Sequence, residues 1–193
     1  MNGTLKRLAL ALTLGASATV AGPAAAQVSD PHKQVIQARQ ALDAWFAGYE
    51  FVPEKRHFDG LGVGLGPALA QIVGDADAPL LTRARALSAM VYAPGPETEG
   101  ALLLIARGAN QPSLLRRKAV LVLGESYGPK HLGEIVDVYS QSPDDVPLRE
   151  ACARAIRFAG DQGKVLRTMM LRVEQAPTVR ALLHDDKQIG ADR

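Results

Sequence analysis

The sequence predicts an all-α protein, an α-solenoid of about three to four stacked helix pairs preceded by an N-terminal capping helix. Composition is the first observation: nine of the 193 residues are aromatic while Ala, Leu, Val and Gly dominate, which favours packed helices over a strand-rich sandwich. The second is a period of 33 residues in the apolar pattern. The third is the Pro and Gly between apolar segments, because these residues end and begin helices.

Residues 1–26 are predicted to be a cleavable signal peptide. Two basic residues precede an apolar run over 8–20, and Ala24 and Ala26 are small residues suited to recognition before cleavage at Gln27. The run is shorter than the roughly 20 residues of a bilayer span. Because the single cysteine, Cys152, lies far downstream, lipoprotein anchoring is excluded. We therefore expect a periplasmic or secreted protein with no membrane span in the mature chain.

The mature chain is neutral by formal count. Residues 1–26 hold two basic residues and no acid, so 20 basic and 20 acidic residues remain after cleavage. Nucleic acid is not expected as a partner, since that binding rests on neutralising many phosphates. One cysteine cannot form an internal disulfide, so the fold depends on packing and Cys152 is expected to be buried.

Residues 27–61 are predicted to form the capping helix and an aromatic-rich loop. Asp30 and Pro31 are typical of a helix N-cap and first position. The apolar face of this helix comprises Val35, Ala38, Ala41, Leu42 and Trp45. About 12 residues near 50–61 are an insertion relative to the period, and terminal units of solenoids are often atypical because one face meets water.

Aromatic residues cluster at this end of the chain. Five of the nine fall within 14 positions: Trp45, Phe46, Tyr49, Phe51 and Phe58. Two interpretations stay open. The rings form the core of the cap, or Tyr49 and Phe51 are exposed and form a binding patch.

Residues 62–185 are predicted to hold the repeats, each a first and a second helix. The second helices align at 81–90, 114–123 and 147–156. Residues 33 positions apart occupy equivalent places in successive repeats, and we call each such set a column. The columns of the second helices are Arg83, Arg116 and Arg149; Ala86, Ala119 and Cys152; Leu87, Val120 and Ala153; and Met90, Leu123 and Ile156. The first helices carry Leu69, Leu102, Ile135 and Thr168, and Ile72, Ile105, Val138 and Leu171. Segments 94–96, 128–129 and 160–163 separate the units, residues 176–183 begin a partial last helix, and 186–193 form a polar tail.

The second helices resemble those of the HEAT-repeat family in its short-repeat, HEAT/PBS-lyase-like form. The segment 115–119, Leu-Arg-Arg-Lys-Ala, with Val-Leu-Gly at 122–124, is similar to that family's pattern, and 148–156 matches less closely. The resemblance implies that second helices line a concave surface. It also implies pairing of a turn residue, usually Asp, with the arginine six positions later, here Asp77 and Asn110. In the third unit Pro143 occupies that place, so Asp144 would substitute for it.

The outward side of the second helices is the second candidate binding surface. It comprises Arg85, Ser88, Tyr92, Lys118, Leu121, Glu125, Ala151, Arg154 and Phe158. This mixed basic and apolar composition suits a protein or peptide segment with some acidic character. An ordinary solvated face is the alternative. The arginine column is instead expected to be structural, holding turns through carboxylate or carbonyl contacts.

No catalytic constellation, metal site or cofactor is expected. The four histidines, His32, His57, His131 and His184, lack metal-ligand spacing and are expected to be solvated. Ser126 ends a helix, whereas a nucleophile elbow needs a strand-to-helix turn. The glycine-rich run 60–66 is followed by no Lys-Ser/Thr, so it is interpreted as a flexible loop before a helix.

The sequence therefore predicts a non-catalytic exported scaffold, an exported bacterial member of this family, which binds a protein or peptide partner. The alternative is an enzyme or accessory protein resembling the HEAT-type bilin lyases. Their usual cytoplasmic setting disagrees with export, and the alternative rests on fold analogy alone.

Overall fold

The computed structural model describes residues 30–48 and 51–184, and every regular element within them is helical. The all-α prediction is thereby confirmed for this part of the chain. The predicted signal peptide, Tyr49 and the polar tail lie outside the described residues. No helix within the described ranges has both the length and the apolar content that crossing a bilayer requires.

Helix α1 (Pro31–Ala47) begins at the predicted cap. The Asp30 Oδ1 atom accepts a hydrogen bond from the His32 backbone N–H at 3.0 Å. The helix buries Ala38, Leu42 and Phe46, and it packs on a 3-10 turn over residues 62–64 and on α3. Phe46 lies deeper than the predicted Trp45, which is half-buried.

The segment predicted as a loop folds back on the cap. It contains a short helix, α2 (Lys55–Asp59), whose Phe58 is 3% exposed. The 3-10 turn that follows holds Gly64 tightly against α1: a Cβ there would lie 2.4 Å from the carbonyl oxygen of Gln34. The glycine-rich run is therefore a site of close backbone packing and not a free loop.

Three helix pairs follow. Their first helices are α3 (Leu65–Gly74), α5 (Pro96–Arg107) and α7 (Leu132–Ser140). Their second helices are α4 (Leu80–Ala89), α6 (Ser113–Tyr127) and α8 (Val146–Ala155). Each first helix packs on its second, and helices of the same kind pack on their neighbours in chain order. Helices α9 (Gly160–Leu171) and α10 (Pro177–His184) pack on each other, and α10 also packs on α8.

The apolar columns of these three pairs are the core. Each of their fifteen members is at most 3% exposed. Cys152 is fully buried in its column, and burial raises the pKa of its thiol to about 12. The thiol is therefore protonated and packs as a small apolar side chain.

In the last helix pair, α9 and α10, the buried positions of α9 lie one residue earlier than predicted. Thr168 is exposed, whereas Arg167 and Met170 are buried in α9. Two glycines with positive φ lie 32 residues apart, not 33: Gly128, at 39°, begins the 3-10 turn before α7, and Gly160, at 58°, begins α9. The shorter unit shifts the inward face of α9 back by one position. Residues 160–163 were also predicted to be a spacer, but they form the first turn of α9.

The arginine column bonds to carbonyl and carboxylate groups, as predicted, but not to the turn residues that the family resemblance implied. Arg83 Nε donates to the carbonyl of Val73 at 3.0 Å, and its Nη2 donates to Gln111 Oε1 at 3.2 Å. Val73 lies in the last turn of α3, where backbone carbonyls lack helical partners. The guanidinium therefore caps the first helix of its own unit and reaches the turn of the next one.

The next two arginines extend this pattern. Arg116 Nε donates to the carbonyl of Ala106 at 3.1 Å and its Nη2 reaches Ser142 Oγ at 3.5 Å. Arg149 Nη1 donates to Glu174 Oε1 at 2.9 Å. The predicted pairing of these arginines with the turn residues Asp77, Asn110 and Asp144 is therefore wrong.

Candidate binding groove

The two surfaces singled out in the sequence meet in one groove. Its cavity is about 330 Å³ and lies between the end of α1, residues 51–58 and the outward side of α4, with α6 at one margin. We call it the aromatic groove. It is lined by Trp45, Phe46, Phe51, Val52, Pro53, Phe58, Leu81, Ala84, Arg85, Ser88, Ala89, Tyr92 and Lys118.

Aromatic contacts build the walls of this groove. The Trp45 ring lies 5.9 Å from Phe51 and 5.8 Å from Phe58, between centroids. Phe58 in turn stacks on Tyr92 at 4.8 Å with 15° between the ring planes. These spacings are those at which aromatic pairs attract one another. The cluster therefore connects α1, the inserted segment and the turn after α4 into one surface.

Large apolar side chains are exposed here. Four of the eleven that the described residues leave exposed line this groove: Phe51, Val52, Leu81 and Tyr92. Val52 is 77% exposed, although its neighbours are partly covered by the cap. Soluble proteins seldom gather exposed apolar side chains into one concave patch unless something binds there.

Arg85 shapes the groove from inside. Its Nη1 donates to the carbonyl of Phe46 at 2.6 Å and to the carbonyl of Gly48 at 2.8 Å. These carbonyls end α1 and have no helical partner of their own. Arg85 thus ties the cap to α4. Ser88 is similarly engaged, since its hydroxyl donates to the Ala84 carbonyl of the same helix at 3.1 Å.

A smaller cavity adjoins the groove on the same side. It measures about 180 Å³, lies between α6 and α8, and shares Lys118 with the aromatic groove. We call it the basic cavity. Its lining residues are Leu114, Arg117, Lys118, Leu121, Pro147, Glu150, Ala151 and Arg154.

The predicted site residues therefore divide into three groups. Phe51, Arg85, Ser88, Tyr92 and Lys118 line the aromatic groove, and Lys118, Leu121, Ala151 and Arg154 line the basic cavity. Glu125 and Phe158 are half-buried and line neither cavity, and Tyr49 lies outside the described residues.

Sequence reasoning missed several lining residues. Val52 lies in the insertion, where no period marks its orientation, and Leu81 was aligned only as the start of a helix. Arg117 directly follows Arg116 of the arginine column, and the repeat pattern assigned no role to this second arginine.

His131 is not solvated, which corrects the expectation for the histidines. It is 5% exposed, and its Nε2 lies 2.7 Å from Glu99 Oε1. Hydrogen bonds from Lys130 and His131 hold the pKa of Glu99 below its usual value. His57 also has a structural contact, because its Nδ1 accepts from the Glu54 backbone N–H at 2.9 Å.

Side chains suited to metal or nucleophilic chemistry do not gather near either cavity. Within residues 30–48 and 51–184 no three His, Cys, Asp or Glu side chains are grouped to hold a metal ion. Ser126 Oγ is buried without a hydrogen-bond partner, and neither cavity includes it.

Comparison with protein-family models, curated proteins and solved structures finds no match for this chain. The geometry and charge of the two cavities are therefore the observations that bear on function.

Proposed function

We propose that this chain is a non-catalytic, exported interaction scaffold that binds a protein or peptide segment along the outward side of α4, α6 and α8. The aromatic groove is the observation that carries the proposal. Exposed Phe51, Val52 and Leu81 offer an apolar surface whose burial by a partner is favourable. Lys118 at the margin adds a positive charge to it.

We also propose that the helix pairs form a HEAT-like α-solenoid capped by α1. Burial of the 33-residue columns and the packing of each helix on its neighbours in chain order support this architecture. The arginine contacts from one unit to the next support it as well, because they repeat between successive pairs. Such stacks present long surfaces suited to extended partners.

The groove fits an apolar anchor better than a reacting substrate. Its polar lining groups include Arg85 and Ser88, which already bond to backbone carbonyls within the protein. A binding site of this kind gains affinity from apolar contact and orientation from a few charges. The predicted signal peptide supports a partner outside the inner membrane.

Photocrosslinking in intact cells tests this function. Benzoylphenylalanine at Val52, in the groove, should yield a covalent adduct with one protein of reproducible mass. The matched control is Met169 on α9, which is 59% exposed and lines neither cavity. Equal adducts from both positions, or no adduct from Val52, would contradict the proposal.

A further inference from the structure

We propose that the basic cavity is a carboxylate-binding subsite, which takes acidic side chains of the same peptide whose apolar residue occupies the aromatic groove. This inference rests on the proposed function and specifies the chemistry of its partner. The expected ligand is an extended segment with an apolar anchor and nearby Asp or Glu residues.

Charge is the first support. Arg117, Lys118 and Arg154 line the basic cavity together with a single acid, Glu150. Lys118 and Arg154 form no ion pair with any residue in the described part of the chain. Elsewhere in these ranges, cations such as Arg107 and Lys130 contact glutamates directly. The cavity therefore holds an excess of positive charge that an acidic ligand would neutralise.

Arg117 supplies an independent second support. Its Nε is buried and has no hydrogen-bond partner among the described residues. A buried charged donor without an acceptor is unfavourable. Arg117 is one of the residues that line the cavity, and carboxylates are the groups that arginine binds in bidentate geometry. A carboxylate bound in the cavity would therefore bring an acceptor close to a guanidinium whose Nε the described residues leave without one.

The lining between these cations is apolar. Leu121 is half-buried and Ala151 is 4% exposed, so the cavity can cover the methylene groups of a Glu side chain while its carboxylate meets the cations. Both residues belong to the predicted outward surface of the second helices.

Lys118 lines both the aromatic groove and the basic cavity, so the distance from α4 to α6 sets the spacing between the two subsites. Adjacent packed helices lie about 8–10 Å apart, and an extended peptide advances about 3.3 Å per residue. Passing from α4 to α6 therefore takes about three residues. We expect the acidic residues of the ligand to lie about three positions from its apolar anchor.

A random peptide library displayed on phage tests this chemistry. The bait is the protein expressed from the 193-residue sequence and purified after its predicted export. Enriched peptides should carry Asp or Glu about three positions from Leu, Phe or Trp. Replacing those acids with Asn or Gln should weaken binding at least tenfold, as measured by fluorescence polarisation.

Variants of the basic cavity then test whether its cations cause the preference for acidic peptides. Lys118→Gln with Arg154→Gln should abolish the preference for the acidic peptide over its amide counterpart. Arg172→Gln is the control, because Arg172 is an exposed cation that lines neither cavity. Circular dichroism should confirm that each variant is folded, because Lys118 is half-buried and Arg154 and Arg172 are exposed, so no substitution removes a core side chain.

Four results would overturn the assignment. Enriched peptides without acids, or equal affinity for the amide counterpart, would remove the carboxylate subsite and leave the aromatic groove intact. Displacement of the peptide by millimolar phosphate but not by millimolar acetate would identify a phosphate site instead. If the wild-type protein enriches peptides no more than a Val52→Asp variant does, both this inference and the proposed function are contradicted.

Discussion

Arg149 on α8 reaches Glu174 in the turn before α10, with 2.9 Å between Nη1 and Oε1. Glu174 is 1% exposed, and the hydroxyl of Tyr139 on α7 donates to its Oε2. The backbone N–H groups of Gln175 and Ala176 also donate to Oε1, at 2.8 and 2.7 Å. One buried carboxylate therefore joins α7, α8 and the start of α10.

Glu174→Ala should destabilise the protein by about 3 kcal/mol, because it leaves the half-buried Arg149 and the buried Tyr139 without their common acceptor. Chemical denaturation followed by circular dichroism measures the change. Asp144→Ala is the matched control: Asp144 is exposed, so its removal should shift the unfolding free energy by less than about 0.5 kcal/mol. Similar losses in both variants would show that the Glu174 contacts contribute little.

Stability should fall in acid through the same group. Burial alone would raise the pKa of Glu174, but hydrogen bonds from Tyr139 and Ala176, the charge of Arg149 and a bond from Gln175 hold it below its ordinary 4.5. A carboxyl whose pKa is lower in the folded than in the unfolded protein stabilises the fold at any pH above its unfolded-state pKa. That stabilisation is lost as the pH falls through the folded-state pKa.

The stability gap between wild type and Glu174→Gln should therefore narrow as pH falls below 4.5. Denaturation curves between pH 7 and pH 3 measure both proteins under the same conditions. A gap that stays constant over this range would mean that Glu174 does not titrate with folding.

Gly124→Ala should separate α6 from α8. A Cβ at this position would lie 2.7 Å from the Cα and Cβ atoms of Ala155, closer than any relaxed contact. Overpacking of this kind costs about 1–3 kcal/mol. Gly133→Ala in α7 is the control: nothing lies within 4 Å of its Cβ, and it should stabilise by up to about 1 kcal/mol. Thermal melting shows whether each variant lowers or raises the melting temperature. Equal shifts in melting temperature for the two variants would contradict the close packing of α6 on α8.

The proposed export can be tested by the position of the mature N-terminus. The protein recovered by osmotic shock from a Gram-negative host should begin at Gln27, because Ala24 and Ala26 match the small residues that signal peptidase requires. Intact mass and N-terminal sequencing determine this. Recovery of Met1 in the membrane pellet would reject the signal-peptide interpretation.

The core of the helix pairs was predictable from sequence because burial at a fixed period leaves a column of small or apolar residues. Ala119 and its equivalents illustrate this. The one-residue shift in α9 was missed, although the 32-residue spacing between Gly128 and Gly160 records it. Aligning the glycines, and not only the apolar residues, would have located Arg167 and Met170.

The contacts of Glu174 could not be predicted in the same way. Glutamate is seldom buried, and its partners Arg149 and Tyr139 lie 25 and 35 residues earlier. The candidate site was predicted only in parts for a similar reason. Clustered aromatics indicated the cap, but the approach of Lys118 to them depends on how residues 51–58 fold back, and no repeat specifies that segment.

Crosslinking from Leu81 in two backgrounds tests the binding groove most directly. Val52→Asp inserts a charge into the groove, whereas Val173→Asp makes the same change at an equally exposed valine, 70% against 77%, outside both cavities. Both should leave the melting temperature nearly unchanged. With benzoylphenylalanine at Leu81, we expect the partner adduct to fall at least tenfold in Val52→Asp and to persist in Val173→Asp. Equal adduct yields in the two backgrounds would contradict a partner bound in the aromatic groove.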